Sequence, residues 1–254
     1  MAMNPMEQFA IKPIVPLQLP ASWGGYDVSF TNQSLLMVLV AIAASLFLTL
    51  ATSKKSLVPS RAQSMAEMSY EFVINMMQSS TGEDGLRFFP FVFTIFIFVL
   101  FSNFFGMIPG SFTVTSQIAV TFSLASLVIL TVIVTGFIKH GLGFLKLFVP
   151  KAPWYLLILL VPIEVISFFT RPISLSVRLF ANMLAGHTML AVFGGFVVLL
   201  GGAGGVLTLL SLAPMALIVA IMLLELLVAF LQAYVFAILT CIYLNEALHL
   251  HDNH

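Results

Sequence analysis

The sequence predicts an all-α, polytopic membrane protein: about three ordinary transmembrane helices, one interfacial amphipathic helix, and two long, steeply inclined membrane helices forming a hairpin. Composition is the first ground. Of 254 residues, 60% are hydrophobic and 8% charged, and the mean hydropathy is +1.10, which excludes a soluble globular domain of average usage. The second ground is three uncharged apolar runs, 34–52, 88–108 and 118–138, each near the ~20 residues that cross a bilayer as helix. The third is a pair of apolar runs, 154–200 and 206–244, far longer than one perpendicular crossing needs.

Taken in chain order, residues 1–20 carry Glu7, Lys12 and four prolines. They lack the basic start and apolar core of a signal peptide, so segment 1–33 is expected to be extended and external. Residues 34–153 hold the three ordinary spans and their internal loops. Lys54, Lys55, Arg61 and Arg87 lie between the first two spans, and Lys139, Lys146 and Lys151 follow the third. The positive-inside rule places both loops in the cytoplasm or matrix and the N-terminus opposite; the uncharged stretch 109–117 agrees. Within the first loop, Ser60 and Gln63 form a weak capping box. Met65, Met68, Phe72 and Met76 recur at helical spacing against Glu67, Glu71 and Asn75, which describes an amphipathic helix on the interface, either a surface anchor or a docking face.

A continuous helix over 206–244 would reach roughly 58 Å against ~30 Å of hydrocarbon. The surroundings of Glu225 hold no turn residues, so one inclined helix is expected rather than a fold-back. The run before it should behave the same way, kinked at Pro162 or Pro172. Gly201, Gly202, Gly204 and Gly205 supply the reversal between the two. Parity puts that turn outside and the tail 249–254 inside. No internal repeat is evident, and the chain reads as one membrane domain, 1–254, that includes the hairpin 154–248.

That hairpin holds charges that stability does not require. Arg178 sits in an apolar run, cannot shed its proton, and needs an anionic partner or water. Glu164, Arg171 and Arg178 are spaced seven and seven, so they share one helical stripe, drifting only ~20° per step. Each step rises ~10.5 Å, and their partners must therefore come from elsewhere. Glu225 and Gln232 are likewise seven apart, a second polar stripe. By depth, Glu164 lies toward the internal side and Arg178 near the middle, with His187 and Glu225 toward the external turn. An acid and an imidazole pass protons, whereas an arginine holds its charge and blocks the relay.

Other residues point elsewhere. Net charge is zero, which argues against nucleic acid as a partner. Cys241 is the single cysteine, without a CxxC partner, and reads as a packing residue. His249, His251 and His254 read as a solvated tail rather than a metal site, and His140 as a loop residue. Asn103 is expected at a helix contact, and Arg171 is expected either to support the arginine stripe or to snorkel to the interface. No metal and no cofactor are expected.

The run from Arg171 to His187, Arg-Pro-Ile-Ser-Leu-Ser-Val-Arg-Leu-Phe-Ala-Asn-Met-Leu-Ala-Gly-His, strongly resembles subunit a of F-type ATP synthases. So does Glu225-Leu-Leu-Val-Ala-Phe-Leu-Gln232-Ala-Tyr-Val-Phe, and the upstream Phe101-Ser-Asn103-Phe-Phe-Gly106-Met-Ile-Pro109 looks like that family's second span. The likeness runs from about residue 31 to 248. Many bacterial members carry an acid where His187 stands and a histidine where Glu225 stands. Here the pair is reversed, as in mitochondrial and alphaproteobacterial forms, and an exchange that keeps one acid and one imidazole suggests contact between the positions.

The resemblance implies a non-catalytic stator subunit of the Fo motor. Arg178 would face carboxylates of a rotating c-ring, an inlet would run through His187, Asn182, Glu225 and Gln232, and Glu164 would serve the internal side. Implied partners are the c-ring, the peripheral stalk subunit b, the other Fo and catalytic-head subunits, the lipid bilayer and protons. The implied location is a bacterial inner membrane, with the mitochondrial inner membrane as the alternative. Three rival readings remain at this stage. A proton or cation antiporter would commonly show repeated halves, a haem or quinone subunit would require paired intramembrane histidines, and a structural anchor would not explain the polar stripes.

Overall fold

Helix dominates the structure, a computed structural model describing residues 11–16, 29–53, 59–108, 113–149 and 153–249. Five helical segments are long and apolar enough to cross a membrane. The expectation of an all-α polytopic membrane protein holds. Lys54, Lys55, Pro109, Lys151, His251 and His254, used in the sequence reading, lie outside the described residues.

A short antiparallel ladder precedes the first helix, β1 (Pro13–Val15) against β2 (Phe30–Thr31), pairing Pro13 with Thr31 and Val15 with Phe30. The helix period could not announce it. Helix α1 (Asn32–Ser53) starts where the Thr31 hydroxyl accepts from the Ser34 amide, the side-chain capping that a first helical turn needs. Helix α2 (Arg61–Gly85) is capped by Ser60, whose Oγ accepts from the Gln63 amide at 3.3 Å. The Gln63 side chain donates to Glu67 at 2.8 Å. Gly82, at φ +64°, breaks α2 near its end, a conformation that glycine adopts without the steric cost of a Cβ.

Along α2, Ala66, Val73, Met76 and Met77 are buried, whereas Met65 and Met68 of the expected apolar stripe are exposed, open as the apolar side of an interfacial helix is.

A single 3₁₀ turn, Leu86–Phe88, leads into α3 (Phe89–Gly106). The buried 3₁₀ turn Val114–Ser116 precedes α4 (Ile118–His140). A longer 3₁₀ segment, Gly141–Phe148, follows α4, with Gly141 at φ +55°. Gly136 leaves room on α4 for the Phe144 ring, since a Cβ there would lie 2.3 Å from it.

Helix α5 (Trp154–Gly202) runs for 49 residues with Pro162 and Pro172 inside it. Gly204 and Gly205 take positive φ in the turn that follows. Helix α6 (Val206–Leu210) passes into α7 (Leu212–Leu248) through Ser211, which keeps helical φ/ψ and donates to the Leu207 carbonyl at 3.2 Å, while the Met215 amide donates to the Ser211 carbonyl at 3.2 Å. The final run is thus the one long apolar segment expected, Val206–Leu248, with no fold-back at Glu225, and Pro214 removes only the N–H that would close onto the Leu210 carbonyl. Along α7, Glu225, Ala229, Gln232, Ala233, Phe236 and Ala237 are all buried, the 3.6-residue rhythm of a single packed face.

The chain folds into two compact units. One gathers the residues up to Leu46 with Phe98–Gln117 and Leu179–Gln232; the other gathers Phe47–Ile97, Ile118–Arg178 and Ala233–His254.

Candidate functional site

In the first unit, α5 and α7 bring His187 and Glu225 together, with Nε2 of the imidazole 3.5 Å from Oε1 of the carboxyl. The contact anticipated from the reversed acid and imidazole is present. Glu225 is 5% exposed and its oxygens take no hydrogen bond from the described residues. Buried carboxyls are normally hydrogen-bonded, and the basic group set against this one is the His187 imidazole.

Gly186 makes the approach possible, since a Cβ there would stand 2.7 Å from Glu225 Oε1. Thr113 completes the cluster, its Oγ1 lying 3.0 Å from His187 Nε2 and donating to the Gly106 carbonyl at 3.4 Å. Asn103 donates to the Ala229 carbonyl at 3.1 Å, the helix contact expected of it. Gln232 is 7% exposed on the same face of α7 as Glu225, and Asn182 is exposed.

The described residues of this unit contain one acid, Glu225, one imidazole, His187, and the single cation Lys12 near the N-terminus. An isolated acid and base in an apolar surround are suited to exchanging a proton, because each has one neutral form that low dielectric tolerates.

The second unit is wired differently. Arg171 donates from Nη1 to Glu246 on α7 and lies over the Tyr243 ring, 5.4 Å from its centroid. The arginine is thereby tied to α7. Thr121 of α4 and Ser176 of α5, both buried, share a hydrogen bond of 3.0 Å. Glu164 is half-buried.

Arg178 is exposed and has no ion-pair partner among the described residues. Ser174, one turn before it, and Ile173 and Val177 beside it are exposed as well, so Arg178 stands on an open stretch of α5. Toward the ends of the helices, Lys139 pairs with Asp84 at 3.1 Å, and His249 Nε2 stands 4.0 Å from the same carboxylate. His140 ends α4 with Nε2 3.3 Å from the Leu248 carbonyl. His140 and His249 are thus placed by packing partners, unlike the loop and solvated tail expected. Cys241 is free and fully buried, as a packing residue should be.

The family model described as ATP synthase A chain matches residues 34–245. The chain belongs to the ATP synthase A chain family. Curated relatives named ATP synthase subunit a include those of Mesorhizobium japonicum, 61% identical over 97% of this chain and 96% of the relative, and of a Chelativorans species, 60% identical over 98% and 99%. The subunit from Agrobacterium fabrum is 57% identical over 98% of this chain and 99% of its own length. All three names come from alphaproteobacteria, in line with the His187 and Glu225 arrangement.

For a member of the ATP synthase A chain family, the sequence reading found the charged residues and missed their supports. Glu246 had a signal, since it lies three heptads beyond Glu225. Gly186 stood inside a quoted motif, but its value as empty space appears only once α7 is packed against it. Thr113 carried no signal, because an uncharged loop threonine has no periodicity to betray it.

Proposed function

We propose that the chain is the proton-conducting stator subunit of a rotary ATP synthase, carrying out no covalent chemistry itself and assembling with the other subunits of that complex. The observation that carries this reading is Arg178, a permanent cation exposed within an apolar membrane helix and with no ion-pair partner among the described residues. A guanidinium in hydrocarbon needs an anion, and the chain's described carboxylates do not supply one. A carboxylate on a neighbouring c-ring does. The fixed cation lowers that carboxylate's pKa as it arrives, so its proton leaves there.

In this reading, protons reach the ring from the external side through His187, Asn182, Glu225 and Gln232, and leave past Glu164 to the internal side. Each elementary charge moved across the membrane is worth ~2.3 kcal/mol per 100 mV, which the ring converts to torque. Arg171, held by Glu246, keeps a second cation fixed on α5 rather than on the proton route.

The shared end of α2, α4 and α7, where Asp84, Lys139, His140 and Leu248 meet, supports a common internal side with the N-terminus opposite, in a bacterial inner membrane. The peripheral stalk subunit b would dock against α1 and α2. A cavity of about 370 Å³ there is lined by Leu48, Thr52, Tyr70 and Phe93 together with Glu67 and Glu71.

The deciding experiment is ATP-driven acidification of inverted membrane vesicles carrying Arg178→Ala, with ATP hydrolysis in parallel. Pumping should be lost in an assembled complex, and passive proton leak should rise above wild type. Normal pumping would remove Arg178 from the mechanism.

A further inference from the structure

Thr113 occupies a position that the motif residues do not explain. It is 2% exposed, and its hydroxyl lies between two partners, the Gly106 carbonyl at 3.4 Å and His187 Nε2 at 3.0 Å. Gly106 admits it, because a Cβ there would stand 2.7 Å from Thr113 Cγ2. Ser116 donates to the Thr113 carbonyl at 2.6 Å and pins the turn. The same ring nitrogen that faces Thr113 is the one 3.5 Å from Glu225.

A hydroxyl both donates and accepts, and its proton turns to suit the partner. When Nε2 carries a proton, Thr113 accepts it and donates to Gly106. When Nε2 is bare, the long bond to Gly106 yields and the hydroxyl donates to the ring instead. Nε2 serves one partner at a time, so transfer occurs when its N–H turns from Thr113 to the Glu225 carboxylate: the N–H bond breaks, an O–H bond forms on the carboxyl, and the freed lone pair then accepts from Thr113, the reverse step running the same way.

We propose that Thr113 is a positioning residue of the proton route, holding the His187 ring against Glu225 in both protonation states of Nε2. This rests on the stator reading. It needs the hydroxyl and not the methyl. Among the described residues of this unit the other titratable side chains are Glu225, which faces His187 from α7, and Lys12 near the N-terminus, and the sequence of the segment Phe98–Gln117 that contributes Thr113 contains no charged residue, so a change in pH response on altering Thr113 would report on the pair.

The test compares Thr113→Val, which keeps the shape and removes the hydroxyl, with Thr113→Ser, which keeps the hydroxyl. Both are made in the complete complex in inverted vesicles, and the initial rates of acidification and of ATP hydrolysis, each per assembled complex, are followed across pH. Thr113→Val should lower pumping roughly tenfold through loss of alignment. It should also move the acid limb of the profile toward lower pH by about half a unit, since the protonated ring loses a charge-assisted acceptor. Thr113→Ser should restore both.

Wild-type rate and profile in Thr113→Val would overturn the proposal, as would a lower rate with an unmoved profile, or a serine variant as impaired as the valine one. Should Thr113→Val not assemble, Thr113→Ala must show the same shift. Failure of both to assemble makes the residue structural and ends the proposal. Glu225→Gln run beside them separates the two readings: if it pumps normally the stator route itself is wrong, and if it stops while Thr113→Val is unaffected only Thr113 is excluded.

Discussion

Each compact unit uses α5 and α7 to place an acid against a nitrogen base, yet the two pairs are built to opposite ends. In one, Glu225 meets His187 in a buried site where neither carboxyl oxygen takes a hydrogen bond from the described residues. In the other, Glu246 meets Arg171 in a half-buried site, with the Tyr243 ring beneath the guanidinium. Imidazole loses its proton near neutral pH and guanidinium does not. The same helix pair therefore offers a contact suited to exchanging protons and one that fixes charge, and base identity rather than backbone separates them.

The sharpest way to break that contrast is to give Glu225 the base that Glu246 has. His187→Arg should hold Glu225 ionised and cut ATP-driven pumping about a hundredfold or more, the scale of losing a general acid or base. Vesicle acidification with parallel ATP hydrolysis measures it, and pumping near wild type would mean that the pair need not exchange protons. A smaller effect is expected from Gly186→Ala, whose Cβ would lie 2.7 Å from Glu225 Oε1. The carboxyl must swing away, and pumping should fall roughly tenfold in a complex that still assembles. An unchanged rate would show that the carboxyl has room to move without cost.

How much of this was legible in the sequence depends on whether a residue's role is periodic. Glu164, Arg171, Arg178, Glu225 and Gln232 stand out because seven-residue spacing puts charges where apolar residues are expected. The helices follow for the same reason, their boundaries falling within a few residues of the apolar runs. What depends on a neighbour brought from elsewhere was hidden. The supports Thr113 and Gly186 act through space that exists only after packing. Arg171 showed a cation in need of an anion, but its partner Glu246 is 75 residues away.

The charge-fixing pair should answer to stability rather than to transport. Glu246→Gln leaves the Arg171 guanidinium with a neutral acceptor in a half-buried site. The expected cost is about 1–2 kcal/mol, since hydrogen bonds between charged groups exceed neutral ones by that order. Thermal dissociation of the complex should shift downward while pumping per assembled complex stays near wild type. A large loss of pumping at unchanged stability would place Arg171 on the proton route and erase the distinction between the units' two pairs.

The smallest effect belongs to Asp84→Asn, which removes the carboxylate shared by Lys139 and His249. This cluster also joins an acid to nitrogen bases, but its members lie open, with Asp84 57% and Lys139 39% exposed. Water and salt screen such pairs, and their measured worth is small. Neither thermal dissociation nor pumping should change beyond experimental scatter, and the result should not depend on ionic strength. A marked, salt-sensitive destabilisation would show that the ends of α2, α4 and α7 are held by charge, where burial of Leu248 and its carbonyl contact with His140 are sufficient by the argument from packing. What makes an acid and base pair consequential in this chain is therefore its removal from water, and the three pairs rank by that measure.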